Sequence, residues 1–226
     1  MNKIKVLIIG DSSVMPRDEL CYIDTYVHHL VENHNDLHII NKAQRGHTVL
    51  DIFSHRKDYL INGFFPNCVI FHYGIVDAYP RPIPSGRKIN HIYQLLAYIK
   101  IDLSSILKKL KLYYLFSNLF NFKTVEYSVF KNRTYELVEL AKQNGAKQII
   151  FIGIVKSTKV LNKVKIAEQE IIKYNDVFKN LALEQDNVFY VDNFDLADED
   201  TLWDGHHYTK TGMYKLYNKI IKILKK

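Results

Sequence analysis

Apolar residues fall into two alternating patterns along this chain. Short unbroken runs at residues 4–9, 37–41, 68–73, 148–154 and 188–191 have the length of strands. Between them, apolar residues recur at helical spacing. Tyr22, Ile23, Tyr26, Val27, Leu30 and Val31 predict a helix after the first strand, and residues 49–61 predict a short one stopped by Asn62-Gly63 and Pro66. Phe130, Leu137, Val138 and Ala141 mark a longer helix ending at Asn144-Gly145. Ala167, Ile171, Tyr174, Phe178 and Leu181 share one face of another. Met213, Leu216, Ile220, Ile221 and Leu224 form the core stripe of the last, with Lys215, Lys219, Lys222, Lys225 and Lys226 around it.

Strands apolar throughout must be covered on both faces, and strands separated by helices pair in parallel. The pattern therefore predicts an α/β fold: a three-layer α/β/α sandwich around a doubly wound, flavodoxin-like, five-stranded parallel sheet, with residues 1–226 forming one domain. One stretch breaks the rhythm. Residues 80–123 are too long for a simple connection. They open with a proline-rich loop, and Leu95, Leu96, Ile99, Leu103, Leu107 and Leu110 then approximate a helical face. A helical insertion after strand three is expected, packed on the domain or acting as a lid, a dimer surface or a membrane-facing patch.

Composition narrows the setting. Of 226 residues, 47% are apolar and 24% charged, which is ordinary for a globular protein. The net charge of +7 favours anionic partners in general without selecting one, and the lysines read as a solvated face rather than a nucleic-acid surface. Cys21 and Cys68 have no disulfide or metal spacing, which suits a reducing compartment. The apolar run after the N-terminal lysines is too short for a signal core, and no stretch reaches the roughly 18 apolar residues of a membrane span. A cytoplasmic location follows as an expectation, with peripheral membrane contact left open and the oligomeric state undetermined. The Lys-, Asn- and Ile-rich usage has a bacterial look.

In open α/β sheets, ligands bind beyond the carboxyl ends of the strands. Four segments fall there: Gly10-Asp11-Ser12-Ser13, Gly46, Gly74–Asp77, and Asp204-Gly205-His206-His207. A serine hydroxyl becomes a nucleophile when a histidine takes its proton and a carboxylate fixes that histidine's tautomer. Ser12 can supply the hydroxyl, although a serine at that position can also simply cap a helix. Asp204 and His207, three apart, can supply the carboxylate and the base. His206 lies two from Asp204, and its side chain is expected to point elsewhere. Gly46 can offer an unobstructed backbone N–H. A metal held by Asp204, His206, His207 and His72 lacks paired ligand spacing, so none is expected. The absence of Gly-x-Gly-x-x-Gly and Walker patterns argues against nucleotide binding.

Taken together, these motifs resemble the SGNH (GDSL-like) hydrolase superfamily from the first strand to the last helix, excluding most of residues 82–123. Gly10–Ser13 resembles its first motif, Gly46 the glycine after strand two, and Asp204–His207 its last, followed by Thr209 and Gly212. The resemblance implies Ser12, His207 and Asp204 as a catalytic triad and the N–H groups of Ser12 and Gly46 as an oxyanion hole. It implies an O-acyl, chiefly O-acetyl, carbohydrate or other small ester as substrate. Water as acceptor gives an esterase, which needs no cofactor. A sugar hydroxyl gives an O-acetyltransferase drawing on a donor such as acetyl-CoA. Asp11, Gly74, Val76, Asp77, Arg81 and His206 are candidate substrate contacts. One motif departs: the family's Gly-x-Asn-Asp reads Gly74-Ile75-Val76-Asp77 here, so an expected oxyanion donor is replaced by a valine that cannot donate. Arg81 and His72 are candidates to compensate. The alternative reading is a catalytically impaired carbohydrate-binding or scaffold protein on the same fold.

Overall fold

A computed structural model describes residues 3–61, 64–83 and 103–225. Five strands pair in parallel in the order β2-β1-β3-β4-β5: β1 Ile4–Gly10, β2 Leu37–Asn41, β3 Cys68–His72, β4 Gln148–Ile152 and β5 Val188–Val191. All five lie where the unbroken apolar runs predict them. β3 is buried at every position.

The two faces of the sheet make two cores, because successive side chains on a strand point to opposite faces. Leu7 and Ile9 of β1 pack with the first core, Val6 and Ile8 with the second. On the first face lie α2 (Val49–Ser54), α6 (Tyr127–Gln143) and α8 (Ala167–Glu184), with Phe151 stacked between Phe71 and Phe178 at centroid distances of 5.1 and 4.6 Å. Such ring pairs add about 1 kcal/mol each beyond the area they bury. On the second face lie α1 (Tyr26–Asn33) and α9 (Lys210–Leu224), whose Met213, Leu216 and Ile220 are buried. The three-layer, doubly wound architecture is therefore present.

Two helix starts differ from the periodicity. Helix α1 begins only at Tyr26, because the Thr25 hydroxyl accepts the His28 N–H and caps it there. Tyr22 and Ile23 fall in a separate exposed 3-10 turn. The 49–61 segment splits at His55 into α2 and a π-helical turn, Lys57–Ile61.

The crest of the sheet also carries the short helices α3 (Ile75–Ala78) and α7 (Thr158–Leu161). Within the 80–123 stretch, α4 (Leu103–Lys109) and α5 (Tyr113–Phe120) are helical and meet at Lys111, whose φ is 59°. Leu107 is buried while Leu110 is exposed, and Leu95, Leu96 and Ile99 lie outside the described residues. No helix among the described residues is long and apolar enough to cross a membrane.

Candidate active site

The Ser12 turn is set by how closely β1 approaches β3. A Cβ on Gly10 would lie 2.4 Å from the His72 carbonyl oxygen, so only glycine fits. The Asp11 N–H donates to that same carbonyl at 3.0 Å. The Asp11 carboxylate then accepts the Ser13 N–H at 2.8 Å and opens a 3-10 turn over Ser12–Val14. Ser12, first in that turn, carries a backbone N–H without an intrahelical partner.

The Asp204–His207 loop is braced from two sides. Gly205 has φ +80°, and a Cβ there would meet Lys159 and the Val160 backbone within 2.9 Å. The Lys159 ammonium donates to the carbonyls of Asp198, Thr201 and Leu202 at 2.7, 2.7 and 3.2 Å. Across the loop, the Leu202 N–H donates to the His207 carbonyl at 2.7 Å. Thr209 then caps α9 by accepting the Gly212 N–H.

These two segments, 195 residues apart in sequence, meet side chain to side chain. Ser12 Oγ lies 3.0 Å from His207 Nε2, and His207 Nδ1 lies 2.6 Å from Asp204 Oδ2. The other carboxylate oxygen accepts the N–H groups of His206 and His207, both at 3.1 Å. Burial alone would raise the Asp204 pKa. The hydrogen bond from His207 and the adjacent His206 outweigh it and hold the carboxylate well below its usual range. An ionised acceptor at Nδ1 fixes the proton there and turns the Nε2 lone pair toward Ser12.

His206 does not point elsewhere. Its ring packs 4.1 Å from that of His207 and faces the same cavity, but among the described contacts only His207 reaches Ser12. Burial and the neighbouring His207 lower the His206 pKa to about 4, which keeps it neutral near pH 7. Asp204, His206 and His207 present potential metal-ligating atoms within 4.8 Å of one another. Of their atoms, Asp204 Oδ2 and His207 Nδ1 are hydrogen-bonded to each other.

The triad opens into a cavity of about 420 Å³, lined also by Val76 and Arg81. Three other candidate contacts do not line it. Asp11 is fully buried beneath the turn it shapes, and burial raises its pKa against the Ser13 hydrogen bonds. Gly74 is buried where it starts α3. Asp77 is buried and accepts the Val49 N–H at 2.9 Å, fastening the start of α2; burial, opposed by that bond, pushes its pKa up to about 8. His72 is a core residue rather than a compensating donor. It lies between the hydroxyls of Tyr26 and Tyr208 at 3.5 and 3.3 Å, and burial lowers its pKa to about 3.

Gly46 sits on a loop tied to the Ser12 segment. The Gln44 N–H donates to the Gly10 carbonyl at 3.0 Å, and Arg45 reaches the Pro16 carbonyl at 3.4 Å. A Cβ on Gly46 would meet nothing within 4 Å, and its N–H has no protein acceptor among the described residues.

Arg17 is the residue that sequence reasoning missed. Its guanidinium contacts His207 Nε2, the same atom that faces Ser12. Burial lowers its pKa while Asp204 opposes that shift. The Met15-Pro16-Arg17 segment contains no motif to flag it; only the fold turns this side chain back onto the histidine.

No protein-family model matches the chain, and no curated protein matches it by sequence. Solved structures do match. A catalytic mutant of Axe2, an acetylxylan esterase from Geobacillus stearothermophilus, superposes with a TM-score of 0.62 at 18% identity, covering 99% of this chain and 95% of that one. A GDSL-like lipase from Bacteroides thetaiotaomicron gives 0.61 at 16% identity, covering 98% and 88%. The chain has the SGNH/GDSL hydrolase fold. TesA, with a TM-score of 0.61 at 13% identity over 98% of both chains, shares the same fold. At these identities the likeness is one of architecture, and the chemistry of the site rests on this chain's own side chains.

Proposed function

We propose that the protein is a serine-dependent acyl-ester hydrolase acting on O-acyl, chiefly O-acetyl, groups of a carbohydrate or other small ester. The observation that carries this reading is the continuous Ser12–His207–Asp204 hydrogen-bond chain, with both links at 3.0 Å or less, opening into a cavity. Ser12 Oγ attacks the ester carbonyl while His207 Nε2 takes its proton. The tetrahedral intermediate collapses, and the leaving alcohol receives that proton from His207. Water, deprotonated by His207, then attacks the acyl-serine and releases the acid. Asp204 orients the imidazole and stabilises the imidazolium. The N–H groups of Ser12 and Gly46 serve the oxyanion, with Val76 where a side-chain donor would stand. Hydrolysis by this route needs no cofactor.

If a sugar hydroxyl replaces water, the same acyl-enzyme makes the protein an O-acetyltransferase, with a donor such as acetyl-CoA. A second reading, a non-catalytic binding protein, draws support from apolar Val76 and from Arg17 occupying His207 Nε2. Labelling by a fluorophosphonate separates the two classes. The expected result is one adduct, on Ser12, with hydrolysis of acetyl esters that is lost in Ser12→Ala. No adduct on wild type, under conditions that label an active control, would sink the hydrolase reading. Acetylated sugar formed only when both donor and acceptor are present would select the transferase.

A further inference from the structure

The cavity beside the triad has a charge pattern that ester hydrolysis does not require. Arg17, Arg81, Lys108 and Lys163 all line it. Among the described residues its only acidic lining group is Asp204, already committed to His207. None of the four cations is in an ion pair with an acid among the described residues. Lys108 lies over the Tyr113 ring at 5.4 Å, and Lys163 over the Trp203 ring at 5.7 Å. The Nε atoms of Arg17 and Arg81 are buried without a hydrogen-bond partner. Removing guanidinium donors from water without an acceptor is costly, and proteins accept that cost where a ligand supplies the acceptor. Guanidinium groups also match the oxygens of carboxylates and phosphates in pairs.

We propose that the cavity binds an ester whose alcohol part carries an anionic group, a carboxylate or a phosphate, with Arg17 and Arg81 as its ligands. This rests on the ester-hydrolase reading for the reacting group, but the binding claim can fail independently. Trp203, 70% exposed at the same cavity, and Tyr79 and Tyr114 give flat apolar surfaces for a sugar ring. An anionic O-acylated sugar therefore meets both features of the wall. The position of Arg17 adds a consequence. Its guanidinium donates toward the Nε2 lone pair that must accept the Ser12 proton. An anion that draws Arg17 away frees that lone pair, so a charged substrate activates the base as it binds.

Binding of glucuronate and of glucose 6-phosphate, each against glucose, tests the claim on the intact protein without relying on turnover. At least one charged sugar should bind tenfold or more tighter than glucose. The preference should shrink with salt and fall several-fold in Arg81→Gln and in Lys108→Gln, an exposed position less prone to disturb folding. Which charged sugar prevails separates carboxylate from phosphate recognition. Equal binding of all three, no binding of any, or a preference untouched by both substitutions overturns the proposal. Hydrolysis of O-acetyl glucuronate against its methyl ester, in wild type and Ser12→Ala, reports separately on the chemistry. Hydrolysis of both at equal kcat/KM would defeat the anion claim and leave the hydrolase reading standing. Tight charged-sugar binding without hydrolysis or Ser12 labelling would do the reverse.

Discussion

The two sides of the site are built very differently. On the side proposed for proton transfer, Asp204 and His207 are held by a half-buried lysine, a positive-φ glycine, a cross-loop hydrogen bond and two N–H donors to one carboxylate. On the side proposed for the oxyanion, a Cβ on Gly46 would meet nothing within 4 Å, and apolar Val76 lines the cavity. Positioning a base takes many fixed contacts, because a small displacement of the imidazole breaks the hydrogen-bond chain. Backbone N–H groups come with the chain, so an oxyanion site can persist with fewer dedicated side chains. The contrast is between a densely braced Ser12–His207–Asp204 chain and a neighbouring wall with few dedicated polar contacts.

The largest effect expected is on the nucleophile. Ser12→Ala should reduce ester turnover by about 10⁴-fold or more while the fold survives, as read by kcat and thermal melting. A loss below tenfold would mean that the braced side is not a catalytic device. Next comes the brace. Lys159→Met leaves three carbonyls without their charged donor and should cost about 3 kcal/mol of stability together with lower kcat, measured by denaturant titration and kinetics. Unchanged stability would show that the loop holds its shape without the ammonium.

Val76→Asn adds the missing donor and should raise kcat by roughly 10- to 100-fold with little change in KM. No gain would show that the thin side is already sufficient. A further expected effect is a pH dependence of stability. Buried Asp77 has a folded pKa of about 8, above its ordinary value of 3.8. Its folded state favours the proton, so its contribution is full below about pH 4 and is lost as pH rises through 8. Asp77→Asn, which keeps an acceptor for Val49, should therefore melt increasingly above wild type between pH 4 and 8. Asp204 acts with the opposite sign. Its depressed pKa stabilises the folded state above about pH 4, and that stability is lost as pH falls. A flat difference in melting temperature for Asp77→Asn would show that this carboxyl is solvated in the folded protein.

The strands were legible because burial on both faces leaves continuous apolar runs, as in Cys68–His72 and Gln148–Ile152. Helix starts were less so. Thr25 moved α1 by a hydrogen bond that hydrophobic spacing does not register. Ser12, Asp204 and His207 stood out because their spacing and their position after strands carry chemical meaning. Arg17 and Lys159 did not, because a lone cation in a loop has no pattern of its own. The same limit applied to Asp77 and His72, whose polar side chains turned out to serve packing rather than the cavity.

Alternating apolar runs and helical stripes alone were enough to determine a parallel, doubly wound sheet and to put four polar segments at its carboxyl edge. Only the tertiary structure decided which side chains meet there. It brought Ser12 to His207 across 195 residues, turned His206 toward the same cavity without giving it the serine, and laid Arg17 against His207 Nε2. The physical reason is that periodicity records burial relative to a residue's own element. A catalytic or ligand-binding contact depends on the relative placement of loops whose order in space is fixed by strand pairing, and no local pattern encodes that.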